Sequence, residues 1–279
     1  MGAGGKWPRL GILLPYGTAA DVATITSFAK AAERAGADGV WTYDMIGRAT
    51  AHAEPLTALA ACAAVTERVE LGTSVLQLPL RNRAQVLQQV LTVQAISGDR
   101  LTLGVGAGST PADFEVVGTL PFEDRFRRLG PALDELVSDL GAREVPSRLL
   151  PGWEVLSSPS VLIGSWAGGR WIERAATQHD GWIASAAKTD RQTIEEGVQR
   201  FRSLGGGRAI VTNVALEVRD RASSLADDRP FDLRGPLEEL DARLRWLHAA
   251  GYDDAIVTAG ADLDGLRRLI QYRSTQLPK

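Results

Sequence analysis

Apolar and polar residues alternate along this chain in two different periods, and the clearest example lies between Val69 and Gly108. A β-type apolar run, Val69–Leu78, ends at a polar turn, Arg81–Arg83. Val86, Val90, Val93 and Ile96 then fall on one face of a helix. Ser97–Gly98–Asp99 stops that helix, and a second β-type run, Leu101–Val105, opens into Gly106–Ala107–Gly108. The unit has the length that two parallel strands and their crossover helix require.

The rest of the chain repeats this scheme. Strands are predicted at Leu10–Pro15, Val40–Tyr43, Ser160–Gly164, Gly181–Ala184, Arg208–Val218 and Ala255–Thr258. Helices are predicted from a cap at Asp21 to Gly36, then at Pro55–Thr66, Pro121–Leu140, Gly168–Gln178, Asp190–Leu204, Leu237–Ala249 and Leu263–Tyr272. Residues 141–160 and Arg219–Arg234 read as loops. The joint AERAGADGVW is echoed by RAATQHDGWI and HAAGYDDAIV, each a helix end, a short polar turn and a β-run. Eight strands alternating with helices predict an α/β fold, a (β/α)8 TIM barrel, with residues 1–279 as one domain. An open doubly wound sheet is the rival, but the joint Pro15–Asp21 lacks the glycine fingerprint of a dinucleotide site.

Composition narrows the function classes. A net charge of −3 in 279 residues gives no basic footprint for nucleic acid. No run is long and apolar enough to span a membrane, MGAGGKWPR is unlike a secretory leader, and the single cysteine, Cys62, sits in an Ala-rich helical run; a reduced, cytoplasmic protein is expected. No His, Cys, Asp or Glu set has metal-ligand spacing, so no metal is expected.

In a TIM barrel the chemistry sits at the C-terminal ends of the strands. That rule selects Tyr16–Gly17, Asp44–Met45, Ser74–Leu78, Gly106–Ser109, Gly164–Trp166, Ser185 and the segment from Thr258 onward. The alternating glycines that end at Gly106 and Gly108 would let a flat ring or a phosphate approach the backbone. Gly164–Ser165–Trp166–Ala167–Gly168–Gly169 leads into a predicted helix, whose free N–H groups would favour an anion. Trp41 and Trp182 read as core, Trp166 as a pocket wall. Of the three histidines, His179 and His248 read as structural. His52 lies on the active face and is the candidate acid–base group, with Tyr43 and Glu54 as nearby alternatives.

The runs LGTSVLQLPLRNR, SGDRLTLGVGAGSTPADFEVVG, PFEDRFRRL and VLIGSWAGGRWIERAATQHDGWIAS resemble the bacterial luciferase-like flavin monooxygenases, and most closely the branch that uses the deazaflavin coenzyme F420. The resemblance runs from Leu10 to Thr258. It implies an oxidoreductase that moves a hydride between F420 and a small organic substrate, with FMN and a monooxygenase reaction as the alternative, and a homodimer as the assembly. It also implies that Asp44 contacts the cofactor, that a cis peptide joins Ser74 to Val75 under the ring, that Gly106, Ala107 and Gly108 line it, and that Gly164, Ser165, Gly168 and Gly169 hold its phosphate. Three positions depart from the family pattern. Met45 stands where a catalytic histidine follows the strand-two acid, Asn82 where another histidine is common, and Ser109 where sugar-phosphate dehydrogenases carry a glutamate. These changes argue against sugar-phosphate chemistry and leave a catalytically degenerate, ligand-binding barrel as a second alternative.

Overall fold

The structure is a computed structural model that describes residues 7–15, 17, 22–142, 149–151, 157–187, 189–221, 230–258, 260 and 263–276. Tyr16 and the expected cap Asp21 lie outside these residues.

Among the described residues, eight parallel staves close into a barrel. In chain order they are β1 (Arg9–Leu13), β2 (Gly39–Thr42), β3 (Glu70–Thr73) with its continuation β4 (Leu76–Gln77), β5 (Leu101–Gly106), β6 (Ser160–Gly164), β7 (Gly181–Ser185), β8 (Arg208–Val218) and β10 (Asp254–Thr258). Last and first strands pair, Leu10 opposite Ala255, and β10 also pairs with β8, so the ring is closed. This is the predicted (β/α)8 barrel. Helices α1 (Val22–Ala35), α2 (Pro55–Ala63), α3 (Arg83–Ser97), α5 (Arg125–Gly141), α6 (Ile172–Gln178), α7 (Arg191–Ser203), α8 (Leu237–Ala250) and α9 (Asp264–Gln276) follow the staves.

Four elements differ from the sequence reading, each for a local reason. The run Val69–Leu78 is not one strand: it breaks at Ser74–Val75, whose peptide bond is cis, and ends in a 3-10 turn at Leu78–Leu80. A short helix, α4 (Pro111–Val117), was not anticipated, although Pro111 at its first position and Gly118 in the left-handed conformation after it are its start and stop signals. Within the predicted loop 219–234 a polar strand, β9 (Asp232–Gly235), pairs with the end of β8 outside the ring. Finally, Gly168 and Gly169 do not open a helix; they lie in a turn, and α6 begins at Ile172.

The core has two layers. Outward-facing Val40, Leu71, Leu103, Ile163, Ala184, Val211 and Val257 are buried under the helices with Leu59, Val90, Leu133, Val198 and Leu244. Trp182 belongs here, against Phe201 and Tyr252. The barrel interior is a separate cluster of Leu13, Trp41, Tyr43, Leu162, Ile183, Ile210 and Ile256. Trp41 fills its lower part because glycines leave room: a Cβ at Gly11 would stand 2.6 Å, and at Gly39 2.7 Å, from its Nε1. Gly11→Val is therefore expected to cost about 1–3 kcal/mol through overpacking. Urea denaturation checks this, and an unchanged midpoint would refute it.

The floor of the barrel is ionic. Arg208 at the start of β8 reaches across to Glu70 (2.6 and 2.8 Å) and along to Asp254 (2.7 and 2.7 Å). Arg9 joins both carboxylates, and Thr102 donates to Glu70. Burial works against the charge on Glu70, but Arg208 outweighs it and holds the carboxyl below its ordinary value.

Candidate active site

Side chains alternate in and out along a barrel stave, so residues two past the interior layer face the mouth. From Ile183, Ile210 and Ile256 this step leads to Ser185, Thr212 and Thr258. From Leu162 it leads to Gly164. Tyr43 closes the interior cluster from above, with Met45 and Val75 packed on it. The Ser74 hydroxyl donates to Thr212 Oγ1 across the barrel at 2.8 Å. Asn213, with φ 61°, turns its amide to donate to Ser185 Oγ at 3.1 Å. The expected cis bond at Ser74–Val75 is present, and the Val75 side chain lies inside the mouth. A Cβ at Gly106 or Gly164 would stand 2.6 Å from a Val75 methyl carbon. The missing side chains at those two glycines therefore make room for Val75, and Val75 is the surface a flat ligand would meet. Ala107 is buried just beyond β5, and Gly108 adopts φ 83°.

Asp44 lies just past the end of β2, beside this mouth. Its carboxylate is buried, accepting the Gln77 backbone N–H (2.8 Å) and the Arg81 guanidinium (2.7 Å). Arg81 also grips Glu54 at 3.0 Å, and Glu54 caps α2 through Thr57. Burial opposes the Arg81 charge, but the Asp44 and Glu54 carboxylates outweigh it. A second carboxylate completes the staple. Asp113 on α4 is fully buried and accepts the N–H groups of Ile46 (3.1 Å) and Gly47 (2.8 Å), the Gln77 side-chain amide (3.1 Å) and Arg48 (3.4 Å). Together Asp44, Arg81, Gln77 and Asp113 fix the β2–α2 loop, which carries Tyr43, Met45 and His52.

Asp113 also predicts a pH effect. Burial raises its carboxyl, but the Gly47 and Ile46 N–H groups and Gln77 overcome this and the net shift is downward. A depressed carboxylate stabilises the fold above its unfolded value, about 4, and that contribution is lost as pH falls through the lower folded value. Glu70 acts with the same sign. Asp44 and Asp254, raised by burial, act with the opposite sign, so the assignment is read from a difference: below about pH 4 the melting temperature of the unaltered chain is expected to fall more steeply than that of Asp113→Asn. Equal acid slopes would refute this assignment.

The β6–α6 turn lies on the same face. Ser165 Oγ accepts the Trp182 indole N–H at 3.0 Å, so its hydroxyl is engaged with the core. Trp166 is 46% exposed and, as expected, lines a concavity of about 350 Å³ together with Ala167, Gly168, Thr189, Asp190 and Thr193. A Cβ on Gly168 would meet nothing within 4 Å, whereas on Gly169 it would run into the Trp166 carbonyl. Asp190 caps α7 by accepting the Thr193 N–H at 2.7 Å.

His52 is half-buried in the β2–α2 loop. Burial and the nearby Arg48 charge lower its imidazole below the ordinary value, which keeps it neutral at pH 7. Asn82 accepts the Ala84 and Gln85 N–H groups as the cap of α3, which accounts for an asparagine there. Ser109 is exposed just past β5. Sequence reasoning missed Arg81, Asp113, Thr212 and Asn213 as site-building residues, and it placed Gln77 on the active face, within Ser74–Leu78, without giving it a role. The available signals were a polar residue inside an apolar strand at Gln77 and at Asn213. Among the described residues no group of His, Cys, Asp and Glu could hold a metal, and no helix is long and apolar enough to cross a membrane.

This barrel, with its polar staple behind the mouth, belongs to the luciferase-like monooxygenase family, which residues 9–212 match. An F420-dependent glucose-6-phosphate dehydrogenase of Amycolatopsis mediterranei is 34% identical over 291 residues, covering 88% of this chain and 87% of the relative. The 4-hydroxyprotoasukamycin monooxygenase of Streptomyces nodosus subsp. asukaensis is 35% identical over 97 residues, and the match spans 35% of this chain but only 26% of that relative. Among solved structures, a monooxygenase from Streptomyces bottropensis superposes with a TM-score of 0.78 at 17% identity, covering 96% of this chain and 98% of the other. An F420-dependent secondary alcohol dehydrogenase with an F420–acetone adduct gives 0.76 at 12% identity, covering 98% and 100%. A type II Baeyer–Villiger monooxygenase of Pseudomonas putida with FMN gives 0.73 at 13%, covering 97% and 99%. The solved structures show that the fold is shared.

Proposed function

We propose that this protein is an F420-dependent oxidoreductase acting on a small organic substrate. One observation carries the reading: the barrel mouth presents a compact apolar surface, Tyr43, Met45 and Val75, whose clearance depends on glycines at 106 and 164. A flat tricyclic ring fits such a surface, with the hydroxyls of Ser74, Thr212 and Ser185 at its edge. The concavity at Trp166 and Gly168 has room for a phosphate, with the Thr189 and Thr193 hydroxyls beside it. The resemblance over most of the chain to an F420-dependent dehydrogenase favours the deazaflavin over FMN.

When bound, the cofactor supplies the hydride donor or acceptor. Val75 would support the ring, and Tyr43 and Met45 beside it would exclude water from the side that faces the barrel interior. Met45 carries no transferable proton, so proton transfer falls to a hydroxyl such as that of Tyr43, to neutral His52, or to solvent. Glucose 6-phosphate is a poor fit, because Met45 and Ser109 replace the ionisable groups of the dehydrogenase pattern.

The test is single-turnover mixing of purified protein and reduced F420 with uncharged aldehydes, ketones and enones, following reappearance of the oxidised deazaflavin absorbance. Turnover with at least one uncharged acceptor and none with 6-phosphogluconolactone is expected. Turnover only with reduced FMN and oxygen would replace this reading by a monooxygenase.

A further inference from the structure

We propose that Asn213 and Ser185 form a site for the reacting oxygen of the substrate, in which the Ser185 hydroxyl donates and the Asn213 amide oxygen accepts, and that this pair selects a carbonyl compound and its alcohol; this rests on the deazaflavin reading above and names the substrate of that same site. The starting point is an irregularity in β8. Its register against β10 runs from Val211 opposite Ala255 to Val214 opposite Val257, so Thr212 and Asn213 together face the one residue Ile256. That is a β-bulge, which re-aims side chains. The burial pattern records the result. Ile210 belongs to the barrel interior, while Val211, Val214 and Leu216 all belong to the layer under the helices. Without the extra residue Val214 would point inward and Asn213 outward. With it, two successive polar side chains reach the mouth, Thr212 toward Ser74 and Asn213 toward Ser185.

The bulge holds Asn213 at φ 61°, in the left-handed region, where glycine sits without strain. An asparagine at this position keeps an amide at the mouth that glycine would lose. Hydrogen bonds then set the polarity of the pair. Ser185 Oγ accepts the Asn213 amide N–H at 3.1 Å and the Ala187 backbone N–H at 3.4 Å, which fills both of its lone pairs. Among the described residues no group accepts the Ser185 proton, and none donates to Asn213 Oδ1. Thr212 stands opposite Ser185 in the sheet but is engaged by Ser74. An open donor is therefore tied to an open acceptor, beside the strand end that carries Val75.

Such a pair suits an oxygen that changes from acceptor to donor. A carbonyl oxygen accepts from Ser185; the hydroxyl it becomes can also donate to Asn213. In that step the carbonyl carbon gains the hydride of the reduced coenzyme and the C=O π bond breaks. The oxygen gains the proton that the coenzyme also gives up, by way of Tyr43, His52 or solvent, and the coenzyme is left oxidised. Negative charge that builds on the oxygen meets the Ser185 O–H. A carboxylate or phosphate is disfavoured, because Asn213 Oδ1 presents a lone pair to it.

The experiment is single-turnover reoxidation of reduced F420 by cyclohexanone, benzaldehyde and hexanal, with products identified, on the unaltered protein and on Asn213→Gly, Ser185→Ala and Ser185→Thr. F420 affinity is titrated on each. The unaltered protein is expected to convert at least one probe to its alcohol. For that probe Ser185→Ala is expected to lose on the order of 10²-fold in kcat/KM and Asn213→Gly about tenfold, both with F420 affinity unchanged, while Ser185→Thr keeps most of the rate. Glycine accepts the left-handed backbone, so Asn213→Gly is expected to fold and its loss reports the amide. Variants as active as the unaltered protein overturn the site. A matching fall in F420 affinity assigns the pair to the ring and also overturns it. Tight F420 binding with no probe reduced overturns the proposal and leaves the deazaflavin reading standing; no binding of F420 overturns both.

Discussion

Arg208→Met is expected to destabilise the protein by about 3–5 kcal/mol, a large part of the stability of an ordinary domain. The reason is what the substitution leaves behind. Arg208 makes two contacts to Glu70 and two to Asp254, with Arg9 as their remaining cation. Without it, two carboxylates stay at the floor of a closed barrel with one partly exposed partner. The loss comes from uncompensated buried charge, so replacing all three groups together (Arg208→Met, Glu70→Gln, Asp254→Asn) is expected to recover part of it. The floor lies at the end of the barrel opposite the mouth, so the folded fraction of Arg208→Met should keep its ligand affinity. Denaturant unfolding and a titration below the transition check both statements. A single substitution that costs under about 1 kcal/mol would mean that the network is solvated and contributes little.

Asp113→Ala is expected to lower kcat/KM on the order of 10²-fold, with a loss of stability besides. Asp113 touches no candidate ligand surface; it is a positioning residue. Its carboxylate receives the N–H groups of Ile46 and Gly47, and its removal also frees Gln77 and Arg48. The unpaired donors cost about 1–3 kcal/mol for each group left buried without a partner. The loop they belong to carries Met45 and Tyr43 into the barrel mouth. Asp113→Asn keeps one acceptor oxygen for the two N–H groups, so it should restore part of the activity. A merely structural role would lower the melting temperature of both variants while leaving kcat and KM of the folded protein unchanged, and that result would contradict the assignment.

The staves were legible in the sequence because burial on both faces writes each of them as a short apolar run, as in Leu101–Val105, and because glycine and left-handed stops such as Gly36 and Gly98 mark the helix ends. The cis peptide at Ser74–Val75 followed from resemblance; no local pattern demanded it. What periodicity could not reveal is the partnership of polar side chains. Asp44 meets Arg81 across 37 residues, and Asp113 meets Gly47 across 66. Neither spacing leaves a mark in a window of a dozen residues. For the same reason the engagement of the Asp44 carboxylate by Arg81 and Gln77 could not be read from the sequence. Gly168 and Gly169 were placed at the start of a helix, yet the chain turns there and α6 begins only at Ile172. Strand β9 is polar at half its positions, and nothing in its composition separates it from a loop.

The proposed site seats a deazaflavin ring on Val75 in the barrel mouth. An equilibrium titration of the purified protein with F420 and, separately, with FMN tests it most directly. The expected result is micromolar or tighter binding of F420, distinctly weaker binding of FMN, and loss of F420 affinity when Val75 is replaced by Asp. Affinity no better than about millimolar, roughly 4 kcal/mol, for both cofactors would contradict it.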